Sequence, residues 1–316
     1  MRALVLGGAG FVGTAACKEL MRRGVETVAA GRRDRPYGTF TSYRIVDRAD
    51  AARLREVIDE VEPDVILDCA CYQPAEMRQM IDAFRGSRYV FVSTGSVYPE
   101  LHGRPADEAD FQQLDGEPNA GGEPFDYATG KRWCETLLRR SSLPWTIVRP
   151  PAVLGAGDHT LRIAAYLQRV DDGGPLLLPA ETADRQAGLA WVRDVGFGLA
   201  LACDLRRDLD GRTYNVGWEG VSVRRLVDAI AKGMAKPVEI VRLPFAELPP
   251  GASPYGPAPA RPAGYSTARI RADLGFEPSA LEDAIAEVLA WYRAEHPSHP
   301  AYAERAKELE LAAARR

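Results

Sequence analysis

Residues 4–13, LVLGGAGFVG, restrict the fold of this chain more tightly than any other stretch. Gly7, Gly8, Gly10 and Gly13 fall between an apolar run with strand character and an amphipathic run with helical spacing. They satisfy both G-x-G-x-x-G and G-x-x-G-x-x-G. A turn this tight needs backbone angles open to glycine, bare N–H groups at the helix start attract a pyrophosphate, and Gly13 lets the helix approach the strand closely. The pattern predicts a βαβ unit that binds a dinucleotide.

The alternation continues. Ala3–Leu6, Thr27–Ala30, Asp64–Asp68, Tyr89–Val92 and Trp145–Val148 read as short buried strands. Between them Phe11–Arg23, Ala51–Val61, Ala75–Phe84 and Tyr127–Arg140 carry helical periodicity. The expected fold is α/β, a Rossmann-type doubly wound parallel sheet over residues 1–150, followed by a smaller substrate-binding lobe over 151–295 and a helical tail over 296–316. Segments around 185–217 are expected to return to the first domain. In the lobe, helices are expected at Val223–Met234 and Leu281–Tyr292, with a terminal helix over Ala301–Ala314. The proline-rich stretch Pro244–Pro262 reads as a loop over a site.

The 40 basic and 44 acidic residues give a net charge of −4 without a block of either sign, which points away from nucleic-acid and membrane partners and towards a small-molecule substrate. No apolar run is long enough to span a bilayer, and the first strand begins too early for a secretion signal, so a soluble, cytoplasmic protein is expected. Cys17, Cys69, Cys71, Cys134 and Cys203 contain no CxxC pair and read as reduced thiols. His102, His159, His296 and His299 lack metal-ligand spacing, and no metal site is expected.

Strand Thr27–Ala30 leads into Gly31, Arg32 and Arg33, where NAD enzymes place an acid for the ribose 2′-hydroxyl. Two guanidinium groups there favour NADP(H) over NAD(H), since arginine matches phosphate oxygens. Farther on, Tyr127-Ala128-Thr129-Gly130-Lys131 sets a phenol and an ammonium at i and i+4 on one helical face. A neighbouring cation favours phenolate over phenol and suits a tyrosine to proton exchange. Ser93 and Thr94 end a strand and offer hydroxyls to a substrate oxygen.

GGAGFVG, S-T-x-x-V-Y at Ser93–Tyr98, YATGK, RPPAVLGAGD at Arg149–Asp158, WVRDVG at Trp191–Gly196, YNVG at Tyr214–Gly217 and RADLGFEP at Arg271–Pro278 fall in one order. In that order the chain, from residue 1 to about 295, resembles the extended short-chain dehydrogenase/reductase family, in its NAD(P)-dependent epimerase/dehydratase branch. The resemblance implies that Tyr127 is the acid/base, that Lys131 tunes it and holds the nicotinamide ribose, and that Thr94 orients the substrate hydroxyl. It further implies cofactor contacts from Gly7, Gly10, Phe11, Val12, Gly13, Asp47 (to adenine), Ala70, Ser93 and Pro150, substrate contact from Ser96, and a homodimer through helices 75–84 and 127–140.

Dehydratases of the family look like S-T-D-E-V-Y, and the 3,5-epimerases carry a cysteine where this chain has Ser96. Gly95 and Ser96 supply neither proton-abstracting group. Nucleotide-sugar enzymes of the branch also tend to carry an Asn and an Arg where this chain has Ala152 and Ala187; Arg185 is the nearby substitute. The expected activity is hydride transfer at a secondary alcohol or ketone of a sugar or nucleotide-sugar-like substrate, as a 4-epimerase or ketoreductase. Reduction of a non-sugar carbonyl is the alternative within the same chemistry. A non-catalytic nucleotide-sensing or RNA-binding relative is a third reading, opposed by the intact Thr94, Tyr127 and Lys131 and by the net charge. Asp158, His159 and Glu181 are the nearest lobe residues able to act as a carbon base.

Overall fold

In the computed structural model, which describes residues 1–34, 36–119 and 123–315, the opening strand β1 (Arg2–Leu6) divides its side chains between two cores. Ala3 and Val5 face one, Leu4 and Leu6 the other, as the two-residue strand period requires. Both faces are covered, so the strand is apolar throughout. The chain continues through α1 (Phe11–Arg22), β2 (Glu26–Gly31), β3 (Ser42–Ile45), α2 (Ala51–Val61), β4 (Val65–Asp68), α3 (Pro74–Ala83) and β5 (Arg88–Val92). Then come α4 (Tyr127–Arg140), β6 (Trp145–Arg149), β7 (Ala152–Leu154), α5 (Arg162–Asp171), β8 (Leu176–Pro179), β9 (Leu189–Trp191), α6 (Val192–Ala202) and β10 (Arg212–Asn215). The last elements are α7 (Val223–Met234), β11 (Ile240–Leu243), α8 (Ala268–Leu274), α9 (Leu281–Glu295) and α10 (Arg305–Ala313).

Seven strands form one parallel sheet in the order β10-β6-β5-β4-β1-β2-β3. The order reverses between β1 and β4, the place where open α/β sheets bind ligands beyond the strand ends. Leu54 of α2, Met77 of α3 and Leu138 of α4 fill one core; Ala16 and Leu20 of α1 with Leu199 of α6 fill the other. Two small parallel pairs, β7–β9 and β8–β11, belong to the second half of the chain. Among the described residues no helix is long and apolar enough to cross a membrane.

The sequence expectation holds no counterpart of β3, α5, α6, α8 or the strands β7 to β11, and three of the differences have a plain physical reason. β3 lies at the sheet edge with one neighbour and half-exposed side chains, so it carries no apolar run to betray it. α6 contains Gly196 and Gly198, which weaken helical propensity. Gly196 rests directly on α1, where a Cβ would stand 2.6 Å from the Ala15 carbonyl carbon, so close packing offsets the weak propensity. The expected terminal helix starts as a 3-10 turn over Pro300–Glu304 before α10. It is anchored by the buried Arg169–Glu308 pair at 2.5 and 2.8 Å and by Arg305 on Asp172.

Candidate active site

A cavity of about 1180 Å³ opens at the carboxyl ends of the central strands, lined by Gly7 after β1, Ala70 after β4, Thr94 after β5 and Pro150 after β6. Arg162 and the segment from Pro254 to Tyr265 close its far side. It exceeds the roughly 300–1,000 Å³ of a typical single-ligand site, leaving room for a dinucleotide and a second molecule.

The turn after β1 is shaped for backbone contact. Gly7 has φ +76°, a left-handed value that favours glycine. A Cβ on Gly13 would land on the Gly7 carbonyl oxygen and 2.8 Å from the Gly8 Cα. Gly10 caps α1 without any side-chain hydrogen bond, so the first N–H groups of the helix face the cavity without a side-chain acceptor. Phe11 and Val12 line the same wall. This cradle fits a pyrophosphate, which needs N–H donors, the positive end of a helix and clearance from side chains.

Beyond β2, Arg32 and Arg33 are exposed on the cavity rim. The Arg33 guanidinium lies 4.6 Å over the Tyr37 ring, and its backbone N–H donates to the Tyr43 hydroxyl at 3.3 Å. Arg32 has no hydrogen bond or ion pair among the described residues. Asp47 also lines the rim, its carboxylate accepting from the Ala49 N–H at 3.0 Å. Its neighbour Arg48, which no motif singles out, is buried and grips both oxygens of Asp68 at 2.5 and 2.7 Å. Asp68 accepts the Tyr89 hydroxyl at 2.8 Å and the Ala70 N–H at 2.9 Å, which fixes the exit of β4.

Asp126 caps α4 by accepting from the Ala128 and Thr129 N–H groups at 3.0 and 3.1 Å. That cap makes Tyr127 the first helical residue, which is 51% exposed and lines the cavity. One turn on, Lys131 is buried and donates to the Val92 carbonyl at 2.7 Å, with Nζ 4.6 Å from the Tyr72 ring centre and 4.8 Å from that of Phe91. Tyr72, missed at the sequence level, also stands 6.2 Å from Tyr127 ring to ring; burial pushes its phenol up to about 12. Gly130 lets α4 reach this loop, because a Cβ there would strike the Tyr72 carbonyl. The Thr94 hydroxyl oxygen accepts from the Ser96 N–H at 3.2 Å, leaving its hydrogen free to donate; Ser93 and Ser96 share the lining.

Behind α4, Arg149 and Glu135 form a fully buried bidentate pair at 2.5 and 2.8 Å. Burial drives the Glu135 carboxyl upward, but the Arg149 charge and hydrogen bonds outweigh it and hold the group below the ordinary carboxylate value. Arg149 also donates to the Tyr98 hydroxyl at 2.8 Å, and that hydroxyl donates to Asn215 at 2.6 Å.

The structure brings every expected cofactor and catalytic residue to this one cavity, together with Ser96, and leaves Arg185 outside it. The Arg185 guanidinium instead donates to the carbonyls of Pro259 and Arg261, both at 3.1 Å, pinning the proline-rich segment. Of the three lobe acid/base candidates, Asp158 and His159 line the cavity and Glu181 does not. Asp158 is buried and holds the Thr160 N–H and hydroxyl at 2.9 and 2.6 Å, while Glu181 accepts from the Phe245 N–H at 2.9 Å. Tyr255, Arg261 and Tyr265 reach the cavity from irregular segments and Arg162 from the start of α5, places that no sequence motif marks.

Solved structures share this architecture. A UDP-glucose 4-epimerase of Thermotoga maritima with UDP-glucose is 18% identical with TM-score 0.71, covering 94% of this chain and 100% of that one. A Thermus thermophilus UDP-glucose 4-epimerase in complex with NAD is 23% identical with TM-score 0.69, covering 93% and 100%. A UDP-glucose-4-epimerase of Stenotrophomonas maltophila with NAD and formylated UDP-arabinopyranose is 20% identical with TM-score 0.74, covering 94% and 99%. Likeness at these identities speaks for the fold. No curated protein sequence matches the chain. Residues 3–217 match a family model described as the NAD dependent epimerase/dehydratase family.

Proposed function

The chain belongs to the NAD dependent epimerase/dehydratase family, and from that footing we propose that it transfers hydride at a secondary alcohol or ketone of a sugar or nucleotide-sugar-like substrate, as a 4-epimerase or a ketoreductase using NADP(H). One observation carries this reading: Thr94, Tyr127 and Lys131 line the same cavity as the open glycine turn. When bound, the nicotinamide supplies the hydride acceptor or donor. Tyr127 gives or takes the proton on the reacting oxygen, and Thr94 donates a hydrogen bond that orients it. Lys131 spends one of its three donors on Val92. The other two remain for the phenol side and a ribose hydroxyl.

Gly7, Gly10, Phe11, Val12 and Gly13 cradle the pyrophosphate, Asp47 meets the adenine, and Ala70, Ser93 and Pro150 flank the dinucleotide. Arg32 and Arg33 take the 2′-phosphate, a reading supported by the absence of any competing partner for Arg32 among the described residues. Arg162 and Arg261, on the lobe side of the cavity, are the cations available to a substrate phosphate in the part that Arg185 does not play. Five free thiols suit a reducing, cytoplasmic setting.

The test is Tyr127→Phe, assayed for conversion of UDP-glucose with added NADP+. Turnover is expected to fall by about 10²–10⁴-fold, the usual worth of a positioned proton donor. Cofactor affinity should stay unchanged, and full activity in the variant would defeat the assignment. Turnover in deuterium oxide is expected to leave the carbons beside the reacting one unlabelled. Stable carbon-bound deuterium there would shift the chemistry towards a carbon base, with Asp158 or His159 the first residues to replace.

A further inference from the structure

Two glycines far apart in sequence, Gly95 and Gly188, flank one aromatic ring. A Cβ on either would collide with the Tyr265 side chain, and the Tyr265 hydroxyl lies 2.5 Å from where a Cβ on residue 95 would stand. The ring therefore occupies the space into which a residue-95 side chain would project. It is also firmly held. Tyr265 pairs with Ala106 in a parallel bridge, with the Ala106 N–H donating to the Gly264 carbonyl at 3.1 Å and the Ser266 N–H donating to the Ala106 carbonyl at 2.8 Å. Its ring stacks on Tyr98 at 5.6 Å and 30°. The two stacked tyrosines differ in one respect. The Tyr98 hydroxyl is engaged by Arg149 and Asn215, whereas the Tyr265 hydroxyl has no hydrogen-bond partner among the described residues, and Tyr265 lines the cavity with Thr94 and Ser96.

We propose that Tyr265 is a substrate-contacting residue, donating a hydrogen bond to an oxygen on the carbon beside the reacting one, so that the site selects substrates with oxygens on neighbouring carbons. The inference rests on the hydride-transfer reading of Thr94 and Tyr127, and it narrows the substrate class within that reading. It accounts for Gly95: the polar group at this point of the cavity comes from the lobe after residue 150, and glycine at 95 is what admits it. Burial pushes the Tyr265 phenol up to about 12, so at neutral pH it acts as a donor and leaves carbon-bound protons in place.

The test compares the wild-type holoenzyme with Tyr265→Phe and Gly95→Ala on two probes, UDP-glucose and its 3-deoxy analogue. With UDP-glucose, both variants should lose about tenfold or more in kcat/KM, the scale of one hydrogen bond, while NADP(H) affinity holds. With the 3-deoxy analogue, wild type and Tyr265→Phe should become nearly equal. Unchanged kcat/KM of Tyr265→Phe on UDP-glucose overturns the inference and leaves the hydride-transfer reading standing. An equal loss on both probes also overturns it, since a merely structural tyrosine behaves that way. Wild-type inactivity on both probes removes the premise and overturns both readings.

Discussion

The wall of the cavity built by β1, β4 and β5 meets a ligand largely with backbone, whereas the wall built after residue 150 meets it with side chains. On the first, Gly7, Gly10 and Gly13 expose N–H groups in a turn whose shape follows from missing Cβ atoms. On the second, Arg162 projects from the start of α5, Arg261 and Tyr265 from segments of little regular structure, and there the order comes from packing: Arg185 pins Pro259 and Arg261, and Gly95 and Gly188 grip Tyr265. A backbone site accepts one ligand type and tolerates little change, while a side-chain site can be re-specified residue by residue. This is the physical basis for a shared cofactor and varied substrates on one fold.

The contrast breaks most severely where the walls share a support. Arg149 joins Glu135 of α4 to Tyr98, on which Tyr265 stacks. Arg149→Leu strips the buried Glu135 carboxylate of its bidentate partner, leaving Arg139 at 3.5 Å as its ion-pair partner, and should cost about 3–5 kcal/mol in urea unfolding. The pH dependence follows from the sign. Glu135 titrates below its ordinary value in the folded state, so its stabilisation is present above the unfolded value of about 4.3 and lost as pH falls through the depressed one. The gap between wild type and variant should therefore shrink on acidification. A gap that widens would mean another group controls that range.

A smaller effect tests the two side chains proposed to meet the cofactor's 2′-phosphate. Replacing Arg32 and Arg33 together by Ala should weaken NADP(H) by about 2–3 kcal/mol, the worth of charge-assisted bonds to a phosphate, and barely move NAD(H). If the unaltered protein binds NAD more tightly than NADP in titration, the two arginines are solvated rim residues.

The sharpest comparison adds one methyl group to each wall. Gly13→Ala pushes a Cβ into the Gly7 carbonyl and Gly8 Cα, backbone that cannot yield, and should weaken cofactor binding by about 1–3 kcal/mol. Gly188→Ala strikes the Tyr265 ring first and should leave cofactor binding intact while lowering kcat/KM for UDP-glucose. Equal cofactor losses in both variants would erase the distinction between the walls.

Legibility in sequence follows the same division. α2, α4 and α7 run where periodicity puts their ends, because capping residues such as Asp50, Asp126 and Ser222 act within one turn of the chain. α6 escapes the same reading, since Gly196 makes sense only with Ala15 of α1 against it. Tyr72 and Arg48 escape because their partners, Lys131 and Asp68, come from other elements.

By itself, the sequence determined what depends on neighbours along the chain: the glycine turn between strand and helix, the two-sided apolar strands of a parallel sheet, and a phenol and ammonium four residues apart on one helical face. Tertiary structure alone decided that Arg185, itself outside the cavity, clamps the loop that lines it, that Asp158 and His159 reach the cavity while Glu181 does not, and that Tyr265 stands where residue 95 has no side chain. The reason is range. Backbone angles and helical spacing act over a few residues, whereas the occupant of a space is settled by whichever distant segment packs against it and by the atoms left out to make room.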